Sequence, residues 1–148
     1  MDHIIGYVTN ANNTERFLRQ HIPVHRQSQI PSFKAVLGPG PINLYIGRWV
    51  NEVNEQEEQY FLIGWKARDD RRVNEVLLHL YPYQAFAIDL TVLQIGKDDD
   101  LVPLRGHANK LHARAAIQRY GISPTADLLN LYPDVLVVLS FLERLHHT

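Results

Sequence analysis

Histidine is the residue type in this chain that most readily suggests chemistry, since its 148 residues contain eight histidines and no cysteine. Two histidines four residues apart on one helix can bind the same metal ion, and His21 and His25 have that spacing. Pro23 lies between them, however, and breaks such a helix. His107 and His112 are five residues apart and would not converge on one helical face. The spacing favours structural or surface roles for these histidines, and a metal site built between subunits stays open.

His79 is the histidine that we single out as a candidate metal ligand, because it is next to the turn formed by Tyr81, Pro82 and Tyr83. It also lies on a predicted helical face beside apolar neighbours, so packing is its alternative role. Four glutamates fall within residues 52–58, and carboxylate oxygens bind hard cations. This segment lacks the Asp, Asn and Gly pattern of a dedicated calcium loop, so a solvated hairpin tip is the alternative interpretation.

Motifs for covalent or phosphate chemistry are missing from the sequence. It contains no nucleophile elbow, no Walker motif and no HExxH pattern, and without cysteine it has neither a thiolate nucleophile nor cysteine ligands for zinc. The sequence therefore nominates no enzyme. Four aromatic residues could instead line a ligand cleft or pack between subunits; they are Trp49, Trp65, Tyr81 and Tyr83.

The composition limits the class of protein that these residues can serve. A chain of 148 residues with 45% hydrophobic and 21% charged residues is typical of one globular domain, which excludes disorder by composition. A formal charge of −1 argues against nucleic-acid binding through bulk positive charge. The sequence shows neither a signal-peptide pattern nor an apolar stretch long enough for a membrane span. We therefore expect a cytoplasmic protein with no nucleic-acid or membrane partner.

The order of apolar patterns indicates which elements position the candidate residues. Strand-like patterns occupy residues 4–8, 33–50, 60–65 and 85–93, with a kink at residues 38–41 in the second. Helical patterns precede Pro23 and run through Val73, Val76, Leu77 and Leu80. This βαβ–βαβ order predicts an α+β, ferredoxin-like split βαβ fold with a four-stranded antiparallel sheet and two helices on one face.

The third predicted strand is apolar on both sides, so two helices on one face would leave its second face open. A partner subunit or the rest of the chain must then cover that face. After a charged break at residues 97–100, the pattern becomes helical, first over residues 109–120 and then from residue 123 to the end. We therefore divide the chain into a sheet domain, residues 1–96, and a helical C-terminal extension, residues 97–148, packed on the sheet or on a neighbouring subunit.

Residues 49–93 carry a resemblance to a known family. Trp49 ends the second strand, a Glu-rich hairpin tip and an apolar third strand follow, and a helix ends in the turn Tyr81-Pro82-Tyr83. This arrangement resembles the CutA divalent-cation-tolerance family of PII-like ferredoxin folds, over about residues 3–96. The resemblance implies a homotrimer with ligand crevices between subunits. It places Trp49, Lys66, Tyr83 and Gln84 near such a crevice as candidate ligand-binding residues.

The chain also departs from the pattern of that family. Tyr81 stands where the family has the histidine of a His-Pro-Tyr turn, and the family's cysteine on the second strand is missing. Gly64 stands where the third strand usually ends in lysine, with Lys66 two residues further on. Because the lost cysteine and histidine are the softer metal ligands, fold and trimeric assembly transfer better than metal binding does.

These observations predict a non-enzymatic, oligomeric module that binds a small ligand or responds to a metal, with a divalent metal ion as candidate cofactor. Two alternatives remain. The first is a protein-interaction adaptor that recruits a partner through the apolar helices of residues 101–148. The second is an enzyme with a site between subunits, where Lys66 or a histidine meets carboxylates with perturbed pKa values.

Overall fold

A computed structural model describes residues 2–9, 18–24, 31–39, 42–83, 85–97 and 100–120. These residues form an α+β structure with six strands and three helices. In chain order the elements are β1 (Asp2–Thr9), β2 (Leu18–Val24), α1 (Phe33–Leu37), β3 (Asn43–Val50), β4 (Glu58–Ala67), α2 (Glu75–Leu80), β5 (Ile88–Ile95), β6 (Leu101–Val102) and α3 (His107–Tyr120). None of the helices within these residues has the length and apolar character needed to cross a bilayer.

All strands belong to one sheet of order β2-β1-β5-β4-β3, to which β6 adds by pairing with β5. Every strand pair is antiparallel. The predicted α+β class and antiparallel sheet are therefore confirmed. The four-stranded ferredoxin-like arrangement is not confirmed, because the sheet has six strands and β5 lies between β1 and β4.

The first difference from prediction is β2, which replaces the end of the helix expected before Pro23. Leu18 to Val24 pair antiparallel with β1, from Val8↔Leu18 to Asp2↔Val24. The alternating residues Ile22 and Val24 are buried, so this segment gains more from completing the sheet than from a helical face. Pro23 is tolerated because β2 is an edge strand, where a missing backbone N–H is least costly. The start of the predicted helix, residues 10–17, lies outside the described residues.

The second difference concerns residues 33–50, which we predicted as one long bent strand. Residues Phe33–Leu37 form the short helix α1, and β3 begins only at Asn43. Phe33 and Leu37, four residues apart, are both buried, so the local period is helical. Gly38 ends the helix with a positive φ of 87° and donates its N–H to the Lys34 carbonyl at 3.0 Å.

Helices cover both faces of the sheet, and the helix on the second face, α3, belongs to the C-terminal extension. On one face, Gly64 leaves space for α1, because a Cβ there would lie 2.6 Å from the Phe33 ring. On the opposite face, a Cβ at Gly47 would lie 3.3 Å from the Cβ of Ala116 in α3. Phe61 and Leu62 point to opposite faces of β4 and are 0% and 1% exposed. The apolar faces of this strand are therefore buried within a single chain.

The remaining predicted elements form near their expected positions. The α2 helix begins at Glu75 with Asn74 as its N-cap, rather than after Asp69 and Asp70, and β5 is shifted toward the C-terminus to Ile88–Ile95. The predicted helix over residues 109–120 is confirmed as α3, which starts at His107. The helical patterns predicted after residue 120 lie outside the described residues.

The described part of the C-terminal extension shares the core of the sheet. Leu104 is fully buried and donates its backbone N–H to the Ile5 carbonyl at 2.9 Å. The Tyr81 hydroxyl donates a hydrogen bond to the Ile117 carbonyl, which joins the end of α2 to α3. These contacts hold the extension on the sheet, where Ala116 of α3 approaches Gly47 of β3 next to the groove described below.

Candidate functional site

An open groove of about 1030 Å³ lies where the end of β3 and the hairpin that follows it meet α3. We call it the β3–α3 groove. It is lined by Arg48, Trp49, Val50, Asn51, Glu52, Glu55, Ala115 and Gln118.

The hairpin wall of the groove is organised by Asn51. Its side-chain oxygen accepts hydrogen bonds from the backbone N–H groups of Val53 and Asn54, at 2.9 and 3.2 Å. Its side-chain amide donates to the Glu57 carboxylate at 3.0 Å, and its backbone N–H donates to the Glu57 carbonyl at 2.9 Å. An asparagine that bonds to its own turn in this way favours a defined loop. The hairpin therefore presents Glu52 to the groove from a structured turn.

The inner wall of the groove carries a stacked pair of rings. Trp49 of β3 and His112 of α3 have ring centroids 3.5 Å apart and ring planes within 9° of parallel. Gln59 is the cross-strand partner of Trp49 on β4, so both side chains leave the sheet on the face that α3 covers. The stack thus connects the sheet to the helix at the groove.

A chain of hydrogen bonds orients the His112 ring. The Asn109 amide donates to the Arg105 carbonyl, the Gln59 amide donates to the Asn109 side-chain oxygen, and the Gln59 side-chain oxygen bonds His112 Nδ1, each at 2.8 Å. A backbone carbonyl can only accept, so the chain has one direction and ends with a hydrogen on His112 Nδ1. In the neutral ring, Nε2 therefore carries the lone pair.

The electrostatic environment of His112 favours this neutral ring. Burial lowers the pKa of His112 below its ordinary value, and the nearby charge of Glu57 opposes this shift only in part. Near neutral pH, Trp49 is therefore stacked on an uncharged imidazole.

The lowered pKa of His112 predicts a loss of stability in acid. The folded pKa lies below the unfolded value of about 6.5, so the contribution of His112 is complete above that value and is lost as the pH falls through the folded pKa. We expect the free energy of unfolding, measured by urea denaturation from pH 7.5 to 5.5, to fall less in His112→Gln than in wild type. Asn109→Ala breaks the same chain without removing a titrating group and should keep the wild-type pH dependence. If the stability of His112→Gln depended on pH as strongly as that of wild type, His112 would not be the group whose lowered pKa causes the loss in acid.

The charges that line the β3–α3 groove are mainly negative. Arg48 binds the Glu58 carboxylate through Nε at 2.8 Å and also through Nη2, so a carboxylate already neutralises it. The exposed side chains of Glu52 and Glu55 form no ion pair with a described residue. The described lining of the groove therefore has an excess of negative charge.

The structure does not bring the sequence-predicted ligand residues together within one chain. Trp49 lies in the groove, opposite Gln59 of β4, whereas Lys66 is seven residues further along β4 and on the other face, about 24 Å away. Tyr83 is fully exposed in the turn after α2, and Gln84 lies outside the described residues. Their convergence between subunits stays a prediction.

His79, the predicted metal ligand, is exposed in the last turn of α2. Over the described part of the chain, no group of three or more histidine, aspartate or glutamate side chains is arranged to hold a metal ion. The glutamates of the hairpin form exposed turn structure, as in the alternative interpretation of that segment.

Lys66 lies instead in a small cavity of about 260 Å³ with a compact charge cluster. Arg68 bonds both oxygens of the Asp70 carboxylate, at 2.9 and 2.7 Å, and reaches Asp89 at 2.8 Å. The hydrogen bonds with Asp70 and Asp89 raise the pKa of Arg68, and the hydrogen bond from Arg68 is the main cause that lowers the pKa of Asp70. Arg68 thus pairs with two carboxylates, which is typical of a structural cluster.

Replacing Arg68 with glutamine should raise the pKa of Asp70 toward its ordinary value, because the largest cause of its lowered pKa disappears. In wild type, the stabilising contribution of Asp70 is present above its ordinary pKa and is lost as the pH falls below it. An NMR titration of the side-chain carboxyl carbon measures the change. Arg71→Gln removes an equal charge nearby and should leave the pKa of Asp70 close to its wild-type value. An equal rise of this pKa in both variants would contradict the role of Arg68.

Sequence reasoning identified Trp49 but missed the residues that hold it. Gln59 and His112 are 53 residues apart in the chain, and His112 was considered only as one half of a histidine pair. No local pattern connects a glutamine on a strand to a histidine on a distant helix. No family model, curated protein or solved structure matches the chain.

Proposed function

We propose that this chain is a non-enzymatic module that binds a small ligand in the β3–α3 groove. The observation that carries the proposal is an aromatic side chain, Trp49, held at the wall of an open groove by a stacked imidazole and an oriented hydrogen-bond chain. Ligand sites commonly combine such an aromatic wall with a few placed polar groups. The volume of the groove, about 1030 Å³, is sufficient for a small molecule.

The position of Trp49 also supports binding, because its ring does not have to be ordered when a ligand arrives. His112 covers one face of the ring, and Gln59 and Asn109 fix the orientation of His112. A side chain that is already fixed loses little conformational freedom on binding, which preserves affinity. The other side of Trp49 is the part that a ligand in the groove can contact.

The resemblance to the CutA family supports one further part of the proposal, a homotrimer, whereas it does not carry over a response to divalent metals because the family's cysteine and histidine are missing here. The sequence-based reason for assembly, the doubly apolar third strand, is satisfied within the chain, since both faces of β4 are buried there. The homotrimer and the inter-subunit crevice therefore depend on the resemblance.

Native mass spectrometry of the full chain, purified without added ligand, tests the proposal. We expect wild type and Leu78→Ala to carry the same small-molecule mass above the protein mass, and Trp49→Ala to have lost it. Leu78 is the control because its apolar side chain is exposed on α2, outside the groove and outside the predicted crevice residues. Absence of bound mass from wild type, or its retention in Trp49→Ala, would contradict the proposal. The same spectrum tests the homotrimer, which requires three times the 17.1 kDa chain mass.

A further inference from the structure

We propose that the ligand of the β3–α3 groove is an organic cation rich in hydrogen-bond donors, such as an amine or a guanidine. This inference rests on the proposed function and adds the chemical class of the ligand. It is carried by the juxtaposition of an aromatic ring, Trp49, with two carboxylates, Glu52 and Glu55, in one groove.

The charge of the described groove lining favours a cationic ligand. Arg48 is the only basic residue among the described residues that line it, and Glu58 neutralises its guanidinium through two hydrogen bonds. Glu52 and Glu55 then leave a net negative potential. A phosphate or carboxylate ligand would be repelled by these two charges, whereas a cation would be attracted.

The balance of hydrogen-bond donors and acceptors in the groove favours a ligand that is rich in donors. The groove's guanidinium and amide donors have partners within the chain, since Arg48 bonds Glu58, Asn51 bonds Glu57, and the Gln118 amide donates to the Leu80 carbonyl at 3.4 Å. The carboxylates of Glu52 and Glu55 are acceptors only. A ligand therefore has to supply most of the donors itself.

The aromatic wall of the groove also favours a cation. The face of an indole attracts positive charge through its ring quadrupole. His112 stacks on one face of Trp49 and is itself uncharged near neutral pH, so the described residue that stacks on this ring brings no positive charge to it. Two carboxylates are also too few for a calcium site of six to eight oxygen ligands, which favours an organic cation over a metal ion.

Fluorescence titration of the full chain tests the ligand class with four probes. Agmatine and spermidine are cationic, adenosine is neutral and AMP is anionic. We expect the two cations to change the Trp49 emission saturably, and adenosine and AMP to bind at least tenfold more weakly. In the double variant Glu52→Gln, Glu55→Gln, affinity for the cations should fall about tenfold, as expected for a loss of about 1.4 kcal/mol.

The double variant Asp69→Asn, Glu75→Gln provides the matched control, because it changes the net charge equally with two exposed acidic residues outside the groove. It should bind the cations within twofold of wild type. Failure of both cations to bind, or an equal loss in both double variants, would overturn the inference. Trp49-dependent binding of adenosine or AMP alone would also overturn it while leaving the proposed groove function intact. The comparison of wild type with Trp49→Ala by native mass spectrometry tests the proposed groove function separately.

Discussion

Replacing Asn74 with alanine is expected to lower the free energy of unfolding by about 3 kcal/mol. Asn74 is fully buried where the loop before α2 meets the sheet. Its side-chain oxygen accepts hydrogen bonds from the Leu77 backbone N–H and from the Thr9 hydroxyl, both at 3.2 Å. Its amide donates to the Ile88 carbonyl at 3.0 Å. One residue therefore caps α2 and joins it to β1 and β5.

The size of this effect follows from burial. Loss of an N-cap lowers the free energy of unfolding by about 1 kcal/mol. Each buried polar group left without a partner lowers it by about 1–3 kcal/mol more. Alanine at position 74 would deprive three groups of their partner, those of Thr9, Leu77 and Ile88. Partial relaxation and access of water reduce the sum to the expected value.

Urea denaturation of the full chain measures the change. Asn54→Ala is the matched control, because Asn54 is exposed and its side chain accepts one bond, from the Gln56 backbone N–H at 3.3 Å; we expect a loss below about 0.5 kcal/mol. A double-mutant cycle with Thr9→Val should show coupling, since either single variant removes the Thr9–Asn74 hydrogen bond. A loss below about 1 kcal/mol for Asn74→Ala, or strict additivity with Thr9→Val, would contradict this role.

Gly6→Ala is the second substitution with a large expected effect, a loss of about 3 kcal/mol from overpacking. Gly6 lies in β1, between β2 and β5. A Cβ there would lie 2.6 Å from Ile22 Cδ1, 2.7 Å from the Val92 carbonyl oxygen and 2.9 Å from Leu93 Cδ2. A side chain can rotate away, but the backbone oxygen of the central strand cannot move without distorting the sheet.

Two variants separate these contacts. Ile22→Val removes the Cδ1 atom, so the pair Gly6→Ala, Ile22→Val should recover part of the stability relative to the sum of the single changes, and the Val92 contact should keep recovery incomplete. Gly47→Ala is the control, because its nearest contacts are side-chain atoms at 3.0 and 3.3 Å; we expect a loss of about 1 kcal/mol or less. Equal losses for Gly6→Ala and Gly47→Ala in urea denaturation would contradict the close approach at Gly6.

The sequence predicted those elements whose apolar period is clear and whose neighbours are nearby. Val76, Leu77 and Leu80 define one helical face, and α2 forms there with these residues buried. The segment from Leu18 to Val24 fits a helix by the spacing of Leu18 and Ile22, but it also fits a strand by the alternation of Ile22 and Val24. Pairing with β1 decides between them, and a local pattern does not contain that pairing.

The pairing of β2 with β1 explains why the strand order of the sheet was harder to predict than the fold class. Once β2 pairs with β1, one edge of β1 is occupied and the other receives β5, which separates β1 from β4. A helix at residues 18–24 would have left that edge open for another strand. One wrong local assignment therefore changes the order of the whole sheet.

The β3–α3 groove was also only partly predictable, because its residues come from distant parts of the chain. Trp49 stands out in the sequence by its type and its place at the end of an apolar strand. The residues that make it a rigid wall, His112 and Gln59, meet it only because α3 packs on β3 at Gly47. Within one chain, Lys66 lies beside Arg68 and Asp89 on the other face, and its convergence with Trp49 between subunits stays a prediction.

The two indole N–H signals in a ¹H–¹⁵N NMR spectrum test the groove most directly. Trp49 lines the groove, whereas Trp65 is buried in β4, so one chain contains both the reporter and its internal reference. On addition of the small-molecule ultrafiltrate of an extract from the cells that express the protein, we predict a saturable shift of the Trp49 signal and an unchanged Trp65 signal. An unmoved Trp49 signal, or equal shifts of both, would contradict ligand binding in the β3–α3 groove.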